Sequence, residues 1–254
     1  MTGRPQPFGL FASTHGPLIV NRLDYHQLPG GNAYGVGHQI LTRGEYDREE
    51  VDGVLSDLSS LCADRGSGVV FLDCGANIGV HTVEAARHMV GWGSVVAIEA
   101  QERLYYALCG NIALGNYFNA RAILAAVGSS NREINVPRPN YTKPASFGSL
   151  ELNRRSTTEY IGQNISYAPK DLTTVPQIKI DSLGLSRLDF LKLDVEGMEL
   201  DALEGANETV HQFRPVILVE WIKSDRAALE NFLHRHDYDF AEHGANLRAT
   251  PNSG

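Results

Sequence analysis

Acidic residues close two successive apolar runs in this sequence of 254 residues, and a glycine-bounded turn follows the first of them. Asp73 closes the run 69–72, Gly75 and Gly79 bound the turn, and Glu99 closes the next run. Because glycine lacks a Cβ atom, the backbone can turn sharply there and a ligand can lie against it. If both runs are parallel strands, the Glu99 carboxylate can accept both hydroxyls of a ribose. The spacing therefore indicates a site for an adenosine-containing cofactor.

The turn departs from the dinucleotide-binding fingerprint G-x-G-x-x-G, because Ala76 stands at the middle glycine position and an acid precedes the first glycine. An acid there would repel a pyrophosphate, but it suits the positively charged sulfonium and ammonium groups of S-adenosylmethionine. We therefore predict S-adenosylmethionine as the cofactor. A nicotinamide-dependent oxidoreductase, which Glu99 alone supports, and an ordinary β–α turn without a ligand are the alternatives.

A second group of acidic residues follows the apolar run 190–193. Asp194 and Glu196 come directly after this run, and Glu220 closes a later one. At the carboxyl edge of a sheet these carboxylates would lie near the cofactor. Methyl transfer needs the acceptor atom in line with the departing sulfur, and a base that removes the acceptor's proton contributes about 10²–10⁴-fold. We predict Glu196 as that base, with Asp194 and His81 as further catalytic candidates.

Each of these candidates has a second interpretation. Lys192 lies in the middle of a buried run, where it would neutralise the neighbouring acids. Glu196 could be a loop carboxylate bound to that lysine or to backbone amides, and His81 could cap or pack against its helix. Asp194 and Glu220 could instead bind Mg²⁺, although two acids make an incomplete site.

The alternation of apolar periodicities predicts an α/β domain with a doubly wound sheet. A capping box of Asp47 with Glu50 is expected to begin the helix before the first strand. Residues 8–39 are predicted as short strands or a lid, and 178–183 as a short edge element. The predicted strands are 69–72, 94–98, 121–127, 190–193 and 214–221, the helices 47–61, 80–89, 101–114, 199–206 and 225–234, and a hairpin covers 238–248.

Residues 129–175 are rich in proline, asparagine and glycine, a length and composition found where a loop covers a site. We predict an excursion with a strand at 133–136 and a ligand contact at 147–150, and a solvated insertion is the alternative. Aromatic residues of the N-terminal part could stack on a sugar or simply pack. These residues are Tyr25, His26, Tyr34 and His38.

The composition argues against several classes of partner. The chain has a net charge of −8 and no run of lysine or arginine, so neither a nucleic acid nor a membrane surface is expected as a partner. No apolar stretch approaches the length of a membrane span. Three cysteines without C-x-x-C spacing indicate neither a disulfide framework nor a zinc site. We expect a cytoplasmic protein that acts on a small molecule or a glycan.

Taken together, these motifs resemble the FkbM family of S-adenosylmethionine-dependent methyltransferases. The matching motifs are D-C-G-A-N-I-G at 73–79, Glu99, N-I-A-L at 111–114, I-D-S-L at 180–183 and F-L-K-L-D-V-E-G-M-E at 190–199. The resemblance runs from about residue 40 to the C-terminus. It implies the seven-stranded, Rossmann-like sheet of class I methyltransferases with a final antiparallel strand. We divide the chain accordingly into an N-terminal extension, 1–62, and a methyltransferase domain, 63–254.

The resemblance also implies roles for individual residues. Asp73, Gly75, Asn77 and Gly79 would line the methionine end of the cofactor, and Glu99 would bind the ribose. The full predicted cofactor-binding set is Asp73, Gly75, Ala76, Asn77, Gly79, Glu99, Ala100 and Asp194. The implied activity is O-methylation of a sugar, glycan or polyketide hydroxyl, and a cofactor-binding module without catalysis is the remaining alternative. Ala100 stands where relatives often have proline, and the excursion at 129–175 is individual to this chain, so the acceptor stays open.

Overall fold

A computed structural model describes residues 6–252 as strands and helices in alternating order. The strands are Phe8–Phe11 (β1), Leu18–Asn21 (β2), His26–Gln27 (β3), Ala33–Tyr34 (β4), Val69–Cys74 (β5), Gly93–Glu99 (β6), Ala120–Leu124 (β7), Ala126–Val127 (β8), Arg132–Pro137 (β9), Leu172–Ile178 (β10), Phe190–Leu193 (β11), Val216–Glu220 (β12), Tyr238–His243 (β13) and Asn246–Pro251 (β14). The helices are Val36–Arg43 (α1), Arg48–Arg65 (α2), Val80–His88 (α3), Glu102–Leu114 (α4), Glu199–Glu204 (α5), Asn207–Phe213 (α6) and Arg226–Arg235 (α7). Short 3-10 turns lie at Phe147–Ser149, Pro169–Asp171 and Ile180–Leu183.

The central sheet has seven strands in the order β13-β14-β12-β11-β5-β6-β7. The strands from β12 to β7 run parallel, and β14 runs antiparallel to both of its neighbours. Because β5 lies between β6 and β11, the winding of the chain reverses at β5, and ligands bind beyond the carboxyl ends of the strands at such a point. The predicted doubly wound, seven-stranded sheet with its antiparallel strand is confirmed.

Alternate side chains of the central strands pack on opposite faces of the sheet. Phe71 and Phe190 meet edge to face, with ring centroids 5.5 Å apart, in the cluster that α2 and α3 cover. Leu72 and Leu191 point to the other face, which α5, α6 and α7 cover. Because both faces are buried, these strands are almost uniformly apolar. A polar side chain within them, such as Lys192, therefore needs a partner.

The N-terminal segment packs on α4 and on the start of α3. It forms two antiparallel hairpins, β1 with β2 and β3 with β4, and ends in α1. Leu18 and Ile40 share a core cluster with Ile78, which follows β5, and with Phe147 of the excursion. The prediction of short strands for 8–39 is confirmed for the hairpins but missed α1, whose amphipathic pattern is only eight residues long.

Helix α2 begins directly after Asp47, as predicted, but the expected capping box is absent. Asp47 has a φ of 42° and makes no side-chain cap hydrogen bond. Glu50 instead accepts a hydrogen bond of 2.7 Å from Nδ2 of Asn246, so a tertiary partner takes the place of the local one. The helix passes through residue 62, and the division of the chain there stays a prediction. None of the helices within residues 6–252 combines the length and the apolar character needed to cross a membrane.

The excursion adds a second sheet with the order β8-β10-β9. The strand predicted at 121–127 is divided between the two sheets, because the N–H group of Ala125 donates to the carbonyl of Glu99 and β8 then pairs with β10. The strand predicted at 133–136 lies within β9. The excursion is therefore folded onto the domain around its own small sheet.

The prediction of a short edge element at 178–183 is wrong. The strand β10 precedes this segment and ends at Ile178, and a 3-10 turn follows. The Asp181 carboxylate accepts a hydrogen bond of 2.8 Å from the N–H of Thr209 at the start of α6. Gly184, which directly follows the turn, has a φ of 63°, in the left-handed region. Residues 180–183 therefore cap the start of α6 and do not pair as a strand.

Candidate functional site

An open cavity lies at the carboxyl ends of β5, β6 and β11. Its inner wall consists of these strand ends and the turn after β5, and its outer wall consists of residues 34–36 and 148–150. The cavity therefore lies where ligands bind in doubly wound sheets.

Two glycines give the turn after β5 its shape. Gly75 and Gly79 have φ values of 81° and 90°, in the left-handed region that favours glycine. A Cβ atom on Gly75 would overlap the carbonyl oxygen of Asp194, and one on Gly79 would overlap the Leu108 side chain. Gly75 thus lets the ends of β5 and β11 lie close together, and Gly79 lets the turn lie against α4. Ala76, between them, is buried against Leu108 and β6.

Asp73 carries a carboxylate oxygen without a partner among the described residues. The residue is only 1% exposed, its Oδ2 accepts a hydrogen bond of 2.6 Å from Oγ1 of Thr82, and its Oδ1 is buried without a hydrogen bond. A buried oxygen left in this state costs free energy. A cationic ligand in the cavity can supply the missing donor.

Glu99 is fixed by backbone hydrogen bonds at the end of β6. Its Oε1 accepts from the N–H of Gln101 at 2.6 Å and its Oε2 from the N–H of Asn77 at 2.8 Å. Burial raises the pKa of Glu99 to about 7, although these N–H groups counteract the rise. Each oxygen keeps a further lone pair, so the carboxylate can accept two hydroxyls of a ligand. Beside it, Ala100 and Met198 belong to an apolar cluster that lines the cavity.

Three carboxylates converge at the ends of β11 and β12. Oxygen atoms of Asp194, Glu196 and Glu220 lie within 4.8 Å of one another. Burial and the nearby Asp194 raise the pKa of Glu196 well above its usual range, and the same two causes raise the pKa of Glu220 to about 8. These three carboxylates can accept a proton or bind a cation.

Two lysines accompany these carboxylates. Lys192 is 3% exposed, and its Nζ lies 3.1 Å from Oδ2 of Asp194, the neutralising role that its position in the strand predicted. Glu196 has a different partner, because Nζ of Lys223 lies 2.5 Å from its Oε2. Sequence reasoning missed Lys223, although a cation soon after the strand-end acid Glu220 was a signal.

His81 lies in the cavity wall, but its Nε2 is buried against α2. This nitrogen is 3.1 Å from Oε1 of Glu50, without hydrogen-bond alignment. Burial would raise the pKa of Glu50, but His81, Lys192 and Asn246 together outweigh it and bring the pKa to about 2. The predicted catalytic candidates therefore lie in one cavity, and His81 is the one whose Nε2 is turned to another protein group.

Contacts link the acids to the outer wall. Nζ of Lys223 also lies 2.9 Å from Oε2 of Glu159, and the hydroxyl of Tyr34 donates to Oε1 of the same carboxylate at 2.5 Å. The ring of His26 lies between those of Tyr34 and Tyr160, with centroids 5.3 and 5.4 Å away. Tyr34 and His26 were among the aromatic candidates, whereas Glu159 carried no signal in the sequence.

The ligand contact predicted at 147–150 coincides with part of the outer wall. Gly148, Ser149 and Leu150 line the cavity, but the Phe147 ring is fully buried in the core. The carbonyl of Phe147 accepts a hydrogen bond of 2.8 Å from Nε2 of Gln101, which joins the outer wall to the end of β6.

The sheet order, the glycine-bounded turn and the strand-end acids together define a Rossmann-like methyltransferase fold. The family model described as "Methyltransferase FkbM domain" matches residues 73–240. This chain belongs to the FkbM methyltransferase family.

The chain is also similar to individual proteins. The chain is 27% identical over 252 residues to Methyltransferase sdnD of Sordaria araneosa, covering 90% of this chain and 91% of the relative. The crystal structure of Methyltransferase FkbM from Methylobacillus flagellatus KT has a TM-score of 0.52 and 19% identity, covering 72% of this chain and 43% of that one. M. jannaschii TYW2, solved in complex with AdoMet, has a TM-score of 0.43 and 12% identity, covering 98% of this chain and 85% of that one.

Proposed function

We propose that this chain transfers the methyl group of S-adenosylmethionine to a hydroxyl of a sugar, a glycan or a polyketide-type small molecule. One observation carries the proposal. A single cavity contains the unpartnered Asp73 oxygen, the Glu99 carboxylate and the acids at the ends of β11 and β12. The first two suit the cofactor, and the acids suit activation of an acceptor.

The cofactor would extend along the inner wall. Its ammonium group would donate to Oδ1 of Asp73, its ribose hydroxyls to Glu99, and its adenine would lie on the apolar surface that includes Ala100 and Met198. The acids that face the cavity also favour the positive sulfonium. S-adenosylhomocysteine, the product, lacks the sulfonium charge and would be bound less strongly by them.

Glu196 is the proposed general base. Lys223 occupies its Oε2, so Oε1 would take the acceptor's proton. As the acceptor oxygen bonds to the methyl carbon, the carbon–sulfur bond breaks, its electron pair stays on sulfur and the proton passes to Glu196. Burial raises the pKa of Glu196, and an ionised carboxylate with a raised pKa accepts a proton more readily. Holding the oxygen, carbon and sulfur in line supplies about 7–11 kcal/mol of the barrier reduction.

The surroundings of the acids favour a neutral acceptor. An excess of acidic over basic side chains lines the inner part of the cavity, which disfavours carboxylates and phosphates, and the net charge of −8 disfavours a nucleic-acid backbone. Tyr34 lines the cavity, and together with the neighbouring rings of His26 and Tyr160 it offers apolar faces with polar edges, as a sugar requires.

A divalent cation is the second candidate for activating the hydroxyl. Asp194, Glu196 and Glu220 supply three oxygen ligands, the donor type that Mg²⁺ prefers, and a bound cation would lower the pKa of the hydroxyl. Such a cation would share Asp194 and Glu196 with Lys192 and Lys223. Loss of turnover on adding EDTA and its recovery with Mg²⁺ would favour the cation, and unchanged turnover would favour Glu196 as a base.

Three measurements test the proposed function. Titration calorimetry with S-adenosylhomocysteine should give a saturable heat, and no heat from folded protein would contradict cofactor binding. Protection against unfolding by NAD alone would instead support an oxidoreductase. Incubation of labelled S-adenosylmethionine with glycosides and polyketides should yield an O-methyl product. Binding without transfer to any acceptor would support a non-catalytic module.

A further inference from the structure

Asp24 lies outside the cavity but joins the two segments that form its outer wall. The residue is 1% exposed. Its Oδ2 accepts a hydrogen bond of 3.0 Å from the N–H of Gly37, in the first turn of α1, and its Oδ1 accepts one of 2.9 Å from the N–H of Phe147. These donors are far apart in sequence, so Asp24 is a long-range connection.

The backbone of Asp24 strengthens the same connection. Its carbonyl accepts from the N–H of His38 at 3.0 Å, and it forms an isolated β-bridge with Ala145. A Cβ atom on Gly35 would lie 2.5 Å from this carbonyl oxygen, and one on Gly37 would overlap the carbonyl of Asn21. Glycine at both positions therefore lets the start of α1 lie directly on the Asp24 segment.

A carboxylate in this place costs free energy, which argues that its two acceptor oxygens are needed. Burial raises the pKa of Asp24 to about 6, and the N–H groups of Gly37 and Phe147 offset only part of the rise. An asparagine would offer one acceptor oxygen and place an NH₂ group against the other N–H. Only an acid of this length satisfies both segments.

We propose that Asp24 is a positioning residue for the cofactor, holding residues 34–36 and 148–150 together as the outer wall. The inference rests on the cofactor placement of the proposed function. The cavity residues Val36 and Gly148 directly adjoin the donors Gly37 and Phe147. Without Asp24 the inner wall would still bind the cofactor, but the cofactor would dissociate faster.

The test compares Asp24→Asn with a matched control, Asp181→Asn. Asp181 has a side chain that is 5% exposed and also accepts a backbone N–H at the start of a helix, but it does not line or adjoin the cavity. We expect Asp24→Asn to raise the Kd for S-adenosylhomocysteine by about tenfold or more, chiefly through faster dissociation, as loss of a buried partner predicts. Asp181→Asn should change that Kd by less than about twofold even where it lowers Tm.

A measurement on the unmodified chain covers the case in which Asp24→Asn does not fold. Saturation with S-adenosylhomocysteine should slow hydrogen exchange at the amides of Gly37 and Phe147 more than at the amide of Thr209. An unchanged Kd in folded Asp24→Asn, an equal loss in the control, or equal protection of all three amides would overturn the proposal. Absence of binding by the unmodified chain would instead contradict the proposed function itself.

Discussion

The inner and outer walls of the cavity reach their geometry by different routes. The inner wall is local, because Asp73, Gly75 and Glu99 are placed by the strands that end at them and by backbone hydrogen bonds across neighbouring strands. The outer wall depends on contacts between distant segments, through Asp24 and through Lys223. In the proposed function the inner wall recognises the cofactor, and the outer wall both encloses the cofactor and faces the acceptor.

The first prediction separates the catalytic role of Glu196 from cofactor binding by the inner wall. Glu196→Gln removes the proposed base but keeps the shape of the side chain, so turnover should fall by about 10²–10⁴-fold. The Kd for S-adenosylhomocysteine should change little, because the inner wall is intact. Steady-state rates and calorimetry on the same preparation measure both quantities. Glu159→Gln, which alters the other carboxylate on Lys223, should lower turnover far less.

An equal loss of turnover in Glu196→Gln and Glu159→Gln would assign the effect to Lys223 and its ion pairs. Loss of cofactor affinity in Glu196→Gln would instead assign Glu196 to cofactor binding.

Asp73→Asn tests the inner wall alone. The amide is a weaker acceptor for an ammonium group, and a hydrogen bond to a charged group is worth about 1.5–3 kcal/mol, so affinity for S-adenosylmethionine should fall by about 10–100-fold. Turnover at saturating cofactor should stay within a few-fold. Thr82→Ser, which keeps the donor to Oδ2, is the control. A loss of turnover at saturation with no change in affinity would contradict the assignment.

The sequence predicted the inner wall well, because its signals are local. An apolar run identifies a buried strand, and a residue at its end lies at the sheet edge whatever the rest of the chain does. The strand 190–193 and the pairing of Lys192 with Asp194 follow from this rule alone.

The outer wall was harder to predict because its contacts cross long sequence separations. Lys223 could be placed beside Glu159 and Glu196 only once the excursion had been folded, and Asp24 belongs to a segment with no periodicity. At Asp47 the local capping pattern was misleading, because Glu50 accepts a hydrogen bond from the distant Asn246 and does not cap its own helix. Local signals therefore predicted the inner wall, and tertiary packing determines the outer wall.

The pH dependence of cofactor binding sharpens the comparison further. The Glu99 pKa of about 7 belongs to the protein without cofactor, and only the ionised carboxylate has both oxygens free of a proton to accept the two ribose hydroxyls, so tight binding needs the ionised form. Affinity for S-adenosylhomocysteine should therefore fall as the pH drops below 7, by up to about tenfold per pH unit. Glu99→Gln should bind more weakly at pH 8 and lose this dependence. A variant with the same pH profile as the unmodified chain would assign the titration to another group.

The smallest effect is expected at the rim. Tyr34→Phe removes the hydrogen bond to Glu159 and loosens the connection to Lys223. This hydrogen bond to a carboxylate is exposed to solvent, which weakens it, so KM for the acceptor should rise by only about two- to tenfold with the Kd for S-adenosylhomocysteine unchanged. Tyr160→Phe removes a rim hydroxyl that donates only to the carbonyl of Gly162, so its effect on KM should be smaller. If Tyr34→Phe weakened cofactor binding instead, the outer wall would serve the cofactor along its whole length, and the acceptor would have to be recognised by the acids at the sheet edge.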